Sequence, residues 1–149
     1  MESILQTPAL VVGLTTPKAR AIFYWTVTAL FCLEMAFTAW YMLAALPAGA
    51  QAIIRLGFPP YFRIELACAK LIGVAVLLAP APAWIKEWAY AGFAINLASA
   101  LIAHLAMGDG PDALAPSAVT SVLWALSYFF WRRRQFARSV REGAEFSWN

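Results

Sequence analysis

The chain has 149 residues, of which 62% are hydrophobic and only 13% are charged. A soluble domain is nearer half apolar and a quarter charged, and a chain this short has no soluble core that could bury the excess. The composition therefore excludes an ordinary soluble domain and indicates a protein that lies in lipid. The net charge of +3 does not indicate a nucleic-acid partner, because the basic residues gather near the two ends of the chain.

Four apolar segments approach the length of about 20 residues that a transmembrane helix needs. Segments rich in proline and glycine separate them. The four segments are residues 21–46, 61–78, 86–107 and 114–131. The sequence therefore predicts an all-α protein, a four-helix transmembrane bundle that contacts the lipid bilayer along its length.

The basic residues predict the orientation of this bundle. An even number of spans places both termini on one side, and Lys18, Arg20 and the run 132–134 mark that side as cytoplasmic. Lys86, in the short second loop, agrees with this orientation. We therefore predict a cytoplasmic segment over 1–19, a membrane domain over 20–131 and a basic cytoplasmic tail over 132–149.

The first loop is too long for a minimal hairpin. Residues 50–56 within it are predicted to form a short interfacial helix, with Arg55 extending towards the headgroups. Aromatic residues gather near the predicted helix ends, which is typical of interfacial belts. The residues assigned to these belts are Tyr24, Trp25, Tyr61, Phe62, Trp84, Trp88, Tyr90, Phe129, Phe130 and Trp131.

Polar side chains occur inside the predicted spans, although a charged group in hydrocarbon costs on the order of 2.5–3.5 kcal/mol. They should therefore face the bundle interior and find partners there. These residues are Glu34 in the first segment, Glu65 and Lys70 in the second, and Asn96 and His104 in the third. Helical spacing places Thr38 and Tyr41 on the same face of the first segment as Glu34. It also places Ser121 and Trp124 on one face of the fourth segment.

Two interpretations of these residues remain open. In the structural one, Glu34, Glu65 and Lys70 form a buried ion-pair network that fixes helix register, with Asn96 as a hydrogen-bonding partner. In the functional one, a polar cavity uses Glu34, Glu65 and His104 as catalytic acid–base groups. The residues that would then bind the substrate are Lys70, Asn96, Thr38, Tyr41, Ser121 and Trp124. A contact with Asp109 near the helix end would also explain why a histidine occurs at position 104. The sequence contains no spacing of Cys and His residues that is typical of a metal site.

Three motifs within the spans resemble sequences of a known family. They are Glu34 in FCLEMAF, the Glu65–Lys70–Gly73 spacing in ELACAKLIGVAVLLAP, and KEWAYAGFAINLASALIAHLAMGD at residues 86–109. The pattern resembles the DoxX-like family of small membrane proteins over about residues 20–131. The resemblance implies a four-helix fold. It also implies links to quinol oxidase and thiosulfate:quinone oxidoreduction, or to cargo-receptor and assembly roles.

We expect an integral, multi-pass protein of a bacterial inner membrane. It would bind a lipophilic small molecule or a quinone at a buried Glu/Lys/Asn cluster, as a small membrane enzyme or as a subunit of a redox system. The alternative is a non-catalytic assembly factor or cargo scaffold with a membrane-protein partner or a homo-oligomeric form. A ligand site predicts a cavity that reaches the cluster, whereas a scaffold predicts tight pairing. No cofactor motif is present, and only the resemblance suggests a quinone.

Overall fold

The computed structural model describes residues 17–44, 54, 55 and 57–146, with side chains for 18–44, 54, 55 and 57–140. The described residues form four long helices, which confirms the predicted all-helical fold. The helices are α1 (Pro17–Leu43), α2 (Phe62–Leu78), α3 (Ala83–Ala106) and α4 (Pro111–Phe146). The predicted interfacial helix at 50–56 lies mostly outside the described residues, although Ile54 and Arg55 within it are helical.

The four helices form a closed ring. Each packs against its neighbours in the order α1, α2, α3, α4 and back to α1. At one end of the ring the Arg134 guanidinium lies 4.7 Å from the centre of the Tyr24 ring, and Arg132 donates to Glu87 at 2.7 Å. We call this the basic end. At the other end, Arg63 donates to the Met42 carbonyl oxygen at 2.5 Å, which joins the start of α2 to the last turn of α1.

Three of the four helices are long and apolar enough to cross a membrane. The spans are Lys18–Leu43, Ala83–Ala106 and Pro111–Val140. Helix α2 has 17 residues, so it is about 26 Å long, slightly less than the hydrocarbon thickness of about 30 Å. The chain is therefore an integral membrane protein with three candidate spans, and α2 packs between α1 and α3 as the fourth member of the bundle.

Helix α4 extends beyond its predicted end. The sequence placed that end at Trp131, before the three arginines, but the helix continues through them to Phe146. Arginine is a good helix former, and no proline follows Pro116 to interrupt the pattern. The arginine run therefore ends the apolar part of α4 and leaves the helix itself intact.

The core lies inside the ring, where buried side chains of all four helices meet. The rings of Phe31 and Phe93 are edge-to-face with their centres 5.1 Å apart, and both are buried. Gly73 of α2 makes room for this contact, because a Cβ there would lie 2.7 Å from two atoms of the Phe93 ring. A small residue at 73 therefore sets how closely α2 approaches α3.

Three aromatic residues predicted for the interfacial belts belong to the core instead. Tyr24, Tyr90 and Trp131 are only 3%, 1% and 4% exposed. Ser127 Oγ lies 2.8 Å from the Tyr90 hydroxyl and 2.7 Å from Thr28 Oγ1. This buried chain of three hydroxyls joins α1, α3 and α4, and it gives the Tyr90 hydroxyl a partner inside the bundle.

Candidate functional site

A groove of about 420 Å³ lies between α2 and α3. Its size is within the range typical of small-molecule sites, about 300–1,000 Å³. Ile72 and Trp88 line it and are mostly exposed, so the groove opens onto the outer surface of the bundle. Gly92 also lines it, and a Cβ at that position would have no atom within 4 Å. The groove is therefore a space that faces lipid, and most of its lining is apolar.

Lys70 contributes a buried cation to this groove. It is 8% exposed and lies eight residues from either end of α2, about 12 Å from each. Its Nζ donates to Thr38 Oγ1 at 3.3 Å, and the Thr38 hydroxyl donates in turn to the Met35 carbonyl oxygen at 3.0 Å. An ammonium group has three donors. Its one hydrogen bond among the described residues leaves two donors for other acceptors.

Glu34 lies four residues before Thr38 on α1. Its side chain is partly buried, and its Oε2 atom is fully buried without a hydrogen-bond partner in the described part of the chain. The carboxylate acts electrostatically on Lys70. Neither residue takes part in the ion pairs of the described residues, so the two charges are near each other without direct contact. Glu34 does not line the groove.

Asn96 brings an amide to the same groove from α3. It is half-buried, near the middle of its helix, and it lines the groove together with Lys70. A side-chain amide can donate and accept hydrogen bonds at once. The structure therefore brings two of the predicted binding residues together, one from each wall, with Thr38 and Glu34 next to Lys70 on the side of α1.

The other predicted residues lie apart from the groove. Glu65 is exposed in the first turn of α2, and Tyr41 is half-buried in the last turn of α1. Ser121 donates to the Ser117 carbonyl oxygen of its own helix at 2.7 Å. Trp124 Nε1 donates to the Tyr90 carbonyl oxygen at 3.0 Å, across the contact between α4 and α3. None of these four residues lines the groove.

His104 belongs to a separate polar group at the end of the bundle opposite the basic end. Its Nδ1 lies 2.7 Å from Asp109 Oδ2, and Arg55 donates to Asp109 Oδ1 at 2.5 Å. We call these three residues the aspartate clasp. About 12 Å of helix separates His104 from Asn96. The contact with Asp109 that the sequence suggested for His104 is therefore present, and the clasp ties residue 55 of the first loop to the turn after α3.

A glycine turn positions the clasp. Gly108 adopts a left-handed conformation with φ of +67°. Its N–H donates to the Leu105 carbonyl oxygen at 3.1 Å, and the Asp109 N–H donates to the His104 carbonyl oxygen at 3.0 Å. This pair of hydrogen bonds is the Schellman motif that ends many helices, and it turns Asp109 back over His104. The hydrogen bond from His104, followed by the charge of Arg55, lowers the pKa of the Asp109 carboxyl below its ordinary value.

Comparison with known proteins shows that a family model matches most of the chain, including the groove residues. The family model described as the DoxX-like family matches residues 26–126. This region runs from α1 into α4 and includes all the residues that line the groove. No curated protein and no solved structure matches the chain.

Proposed function

The chain belongs to the DoxX-like family, and we propose that it binds a lipophilic small molecule in the groove between α2 and α3. The observation that carries this proposal is the groove itself, which reaches a buried ammonium and an amide. Lys70 and Asn96 would hold the polar group of the ligand, and the apolar lining would hold the rest. A scaffold that uses its polar residues only for helix register has no need of a cavity beside them.

The donors in the groove favour a ligand with an acceptor oxygen. Lys70 has two donors that no described residue uses, and Asn96 adds an amide N–H from the opposite wall. The rings of Trp88 and Phe93 also line the groove. A quinone has acceptor carbonyl oxygens on a flat ring, and its tail is apolar. Among lipophilic molecules, it is also the class that the family resemblance suggests.

The dimensions of the groove support binding from within the bilayer. Its lining on α2 extends from Leu66 to Val76, about 15 Å along the helix. This length accommodates a ring and the first part of an apolar tail. Because the opening faces lipid, such a ligand would enter from the hydrocarbon region without crossing water.

We also propose that the basic end faces the cytoplasm and that α2 is the fourth membrane crossing, in a bacterial inner membrane. The positively charged residues near the basic end outnumber the negatively charged ones, which is typical of cytoplasmic ends. They are Lys18, Arg20, Lys86, Arg132, Arg133 and Arg134, with Glu87 as a negative neighbour. The opposite end contains Asp109 and Asp112, beside Arg55 and Arg63.

A binding measurement with a groove-filling variant tests the ligand proposal. The protein in phosphatidylcholine nanodiscs is titrated with decylubiquinone, and quenching of tryptophan fluorescence is followed, since Trp88 lines the groove. Gly92→Leu would place a larger side chain at position 92, where a Cβ meets no atom within 4 Å. The control is Ala91→Leu, an exposed position next to Gly92 that does not line the groove.

We expect saturable quenching for the wild-type protein and for Ala91→Leu. For Gly92→Leu we expect an affinity lower by about tenfold or more, because ligand and leucine would compete for the same volume. Quenching that rises linearly in all three proteins would show only partition into the bilayer. That result would contradict the proposal and favour the assembly-factor alternative.

A further inference from the structure

We infer that Glu34 makes the groove selective for ligands with a neutral polar group, such as a ketone, ester or quinone, over ligands with a carboxylate. This inference rests on the proposed function, because it requires the polar group of the ligand to meet Lys70. It assigns Glu34 the role of a specificity-determining residue that never touches the ligand.

The charge of Lys70 on its own favours an anionic ligand. A buried ammonium with two unused donors attracts an anion more strongly than a neutral acceptor, because the low dielectric of the bundle strengthens the attraction between opposite charges. If Lys70 were the only charge in this region, the groove would favour the carboxylate of a fatty acid. A fatty acid dissolved in the bilayer would reach the groove from the same hydrocarbon phase.

Glu34 changes this balance. Its carboxylate and the Lys70 ammonium together carry no net charge, and the electrostatic interaction between them is already present without a ligand. A carboxylate ligand would change the net charge of this group from zero to minus one within the hydrocarbon region. Uncompensated charge there is costly, whereas a carbonyl oxygen accepts a hydrogen bond from Lys70 and adds no charge.

The geometry places Glu34 where it can act in this way. The Oε2 atom is buried, and no N–H or O–H group of the described residues donates to it. Thr38, one turn further along α1, receives the hydrogen bond from Lys70. Glu34 therefore lies on the α1 side of Lys70, while the groove lies between α2 and α3.

Other carboxylates of the described chain are poorly placed for this role. Glu65, on the same helix as Lys70, is exposed. Glu87 and Asp109 form ion pairs with arginines near the two ends of the bundle. Glu34 is the carboxylate that acts electrostatically on Lys70.

A pair of probes that differ only in charge tests the inference. The probes are nitroxide-labelled stearic acid and its methyl ester, used at mildly alkaline pH so that the acid is ionised. Saturable quenching of tryptophan fluorescence gives an apparent affinity for each probe in the same nanodiscs. The quantity compared is the ratio of ester to acid affinity, because partition into the bilayer then cancels between variants.

We expect the wild-type protein to prefer the ester. In Glu34→Gln the Lys70 charge loses its compensation, so the ratio should fall by about tenfold or more in favour of the acid. Glu65→Gln is the matched control, since it removes an exposed carboxylate from α2, and its ratio should equal that of the wild-type protein. Glu34→Asp keeps the carboxylate on a side chain that is shorter by one methylene. It should lower the ratio of ester to acid affinity by less than Glu34→Gln does. This variant carries the test if Glu34→Gln does not fold.

The results separate this inference from the proposed function. If the ester binds saturably and the ratio is the same in the wild-type protein and the Glu34 variants, the inference is wrong while the binding function stands. A wild-type preference for the acid would also overturn it. If neither probe binds saturably, the proposed function is wrong and the inference is overturned with it.

Discussion

Lys70 Nζ donates to Thr38 Oγ1 at 3.3 Å, which joins a buried cation of α2 to a hydroxyl of α1 half-way along the bundle. The nearby carboxylate of Glu34 has an oxygen without a partner among the described residues. A pair kept only for helix register would gain most from direct contact between its charges. The separation of the charges beside a groove is the feature that favours a binding site.

The first prediction concerns the energetic coupling of these two charges. Lys70→Met leaves the Glu34 carboxylate without a nearby cation, so we expect the free energy of unfolding in detergent to fall by about 3 kcal/mol. Glu34→Gln should also destabilise the protein. The double variant should lose less than the sum of the two, because it leaves neither charge buried alone. Glu65→Gln serves as the control and should change stability by less than about 0.5 kcal/mol. Additive losses in the double variant would contradict the coupling.

The second prediction compares two glycines that line the same groove. Gly73→Ala places a Cβ 2.7 Å from the Phe93 ring, so we expect a loss of about 1–2 kcal/mol through overpacking. Gly92→Ala meets no atom within 4 Å and should be neutral, or stabilising by up to about 1 kcal/mol. Thermal unfolding in detergent measures both. The double variant Gly73→Ala/Phe93→Leu should lose less than the sum of its two single variants, and equal effects of the two alanine substitutions would refute the close approach of α2 and α3.

The third prediction concerns acidification of the aspartate clasp. The pKa of Asp109 is lower in the folded protein than its ordinary value of about 3.9, so the unfolded chain binds more protons as the solution becomes acidic. The contribution of Asp109 to stability is therefore complete above that ordinary pKa, and it is lost as the pH falls through the pKa of the folded state.

The difference in melting temperature between the wild-type protein and Asp109→Asn should show this loss. It should be larger above the ordinary pKa of Asp109 and shrink as the pH falls through the pKa of the folded state. Asp112→Asn, an exposed position in the first turn of α4, is the control; it removes a carboxylate outside the clasp, so its pH-dependent loss should be smaller than that of Asp109→Asn. A difference that did not change with pH would show that the clasp does not depend on the Asp109 charge.

The fourth prediction concerns orientation. In a variant in which Cys32 and Cys68 are replaced by alanine, an impermeant maleimide added outside the cell should label Gly110→Cys. It should label Gly143→Cys only after the membrane is permeabilised. Gly110 is exposed and has open space at its Cβ position, so access to it should be unhindered. The opposite labelling pattern would reverse the proposed topology.

The sequence was sufficient to predict the four helices, and it grouped Lys70 with Asn96, two residues that line the same groove in the structure. Apolar length determines where helices form in a membrane, and a lysine in mid-helix must be buried or face a cavity. The sequence could not decide between Glu65 and Lys70. These residues lie five apart, about 140° around the helix, so which of them faces inward depends on where α1 and α3 pack.

Other features depended on contacts between helices that no local pattern specifies. A tyrosine near a helix end is typical of an interfacial belt, and only packing against Ser127 and Thr28 makes Tyr90 part of the core. The groove likewise depends on how α2 packs against α3, with Gly73 close to Phe93 and open space at Gly92. Spacing along one helix describes only that helix, so the sequence offered a polar cavity as one interpretation but could not locate it between α2 and α3.

Photolabelling shows whether a ligand occupies the groove between α2 and α3. A photoreactive quinone analogue is crosslinked to the protein in nanodiscs, and the labelled peptides are identified by mass spectrometry. We predict labels on groove residues of α2 and α3, such as Leu66 and Trp88, that excess decylubiquinone removes and that Gly92→Leu weakens while Ala91→Leu does not. Labels that resist competition and are spread over lipid-facing residues such as Leu33 and Ile102 would contradict a ligand site in the groove.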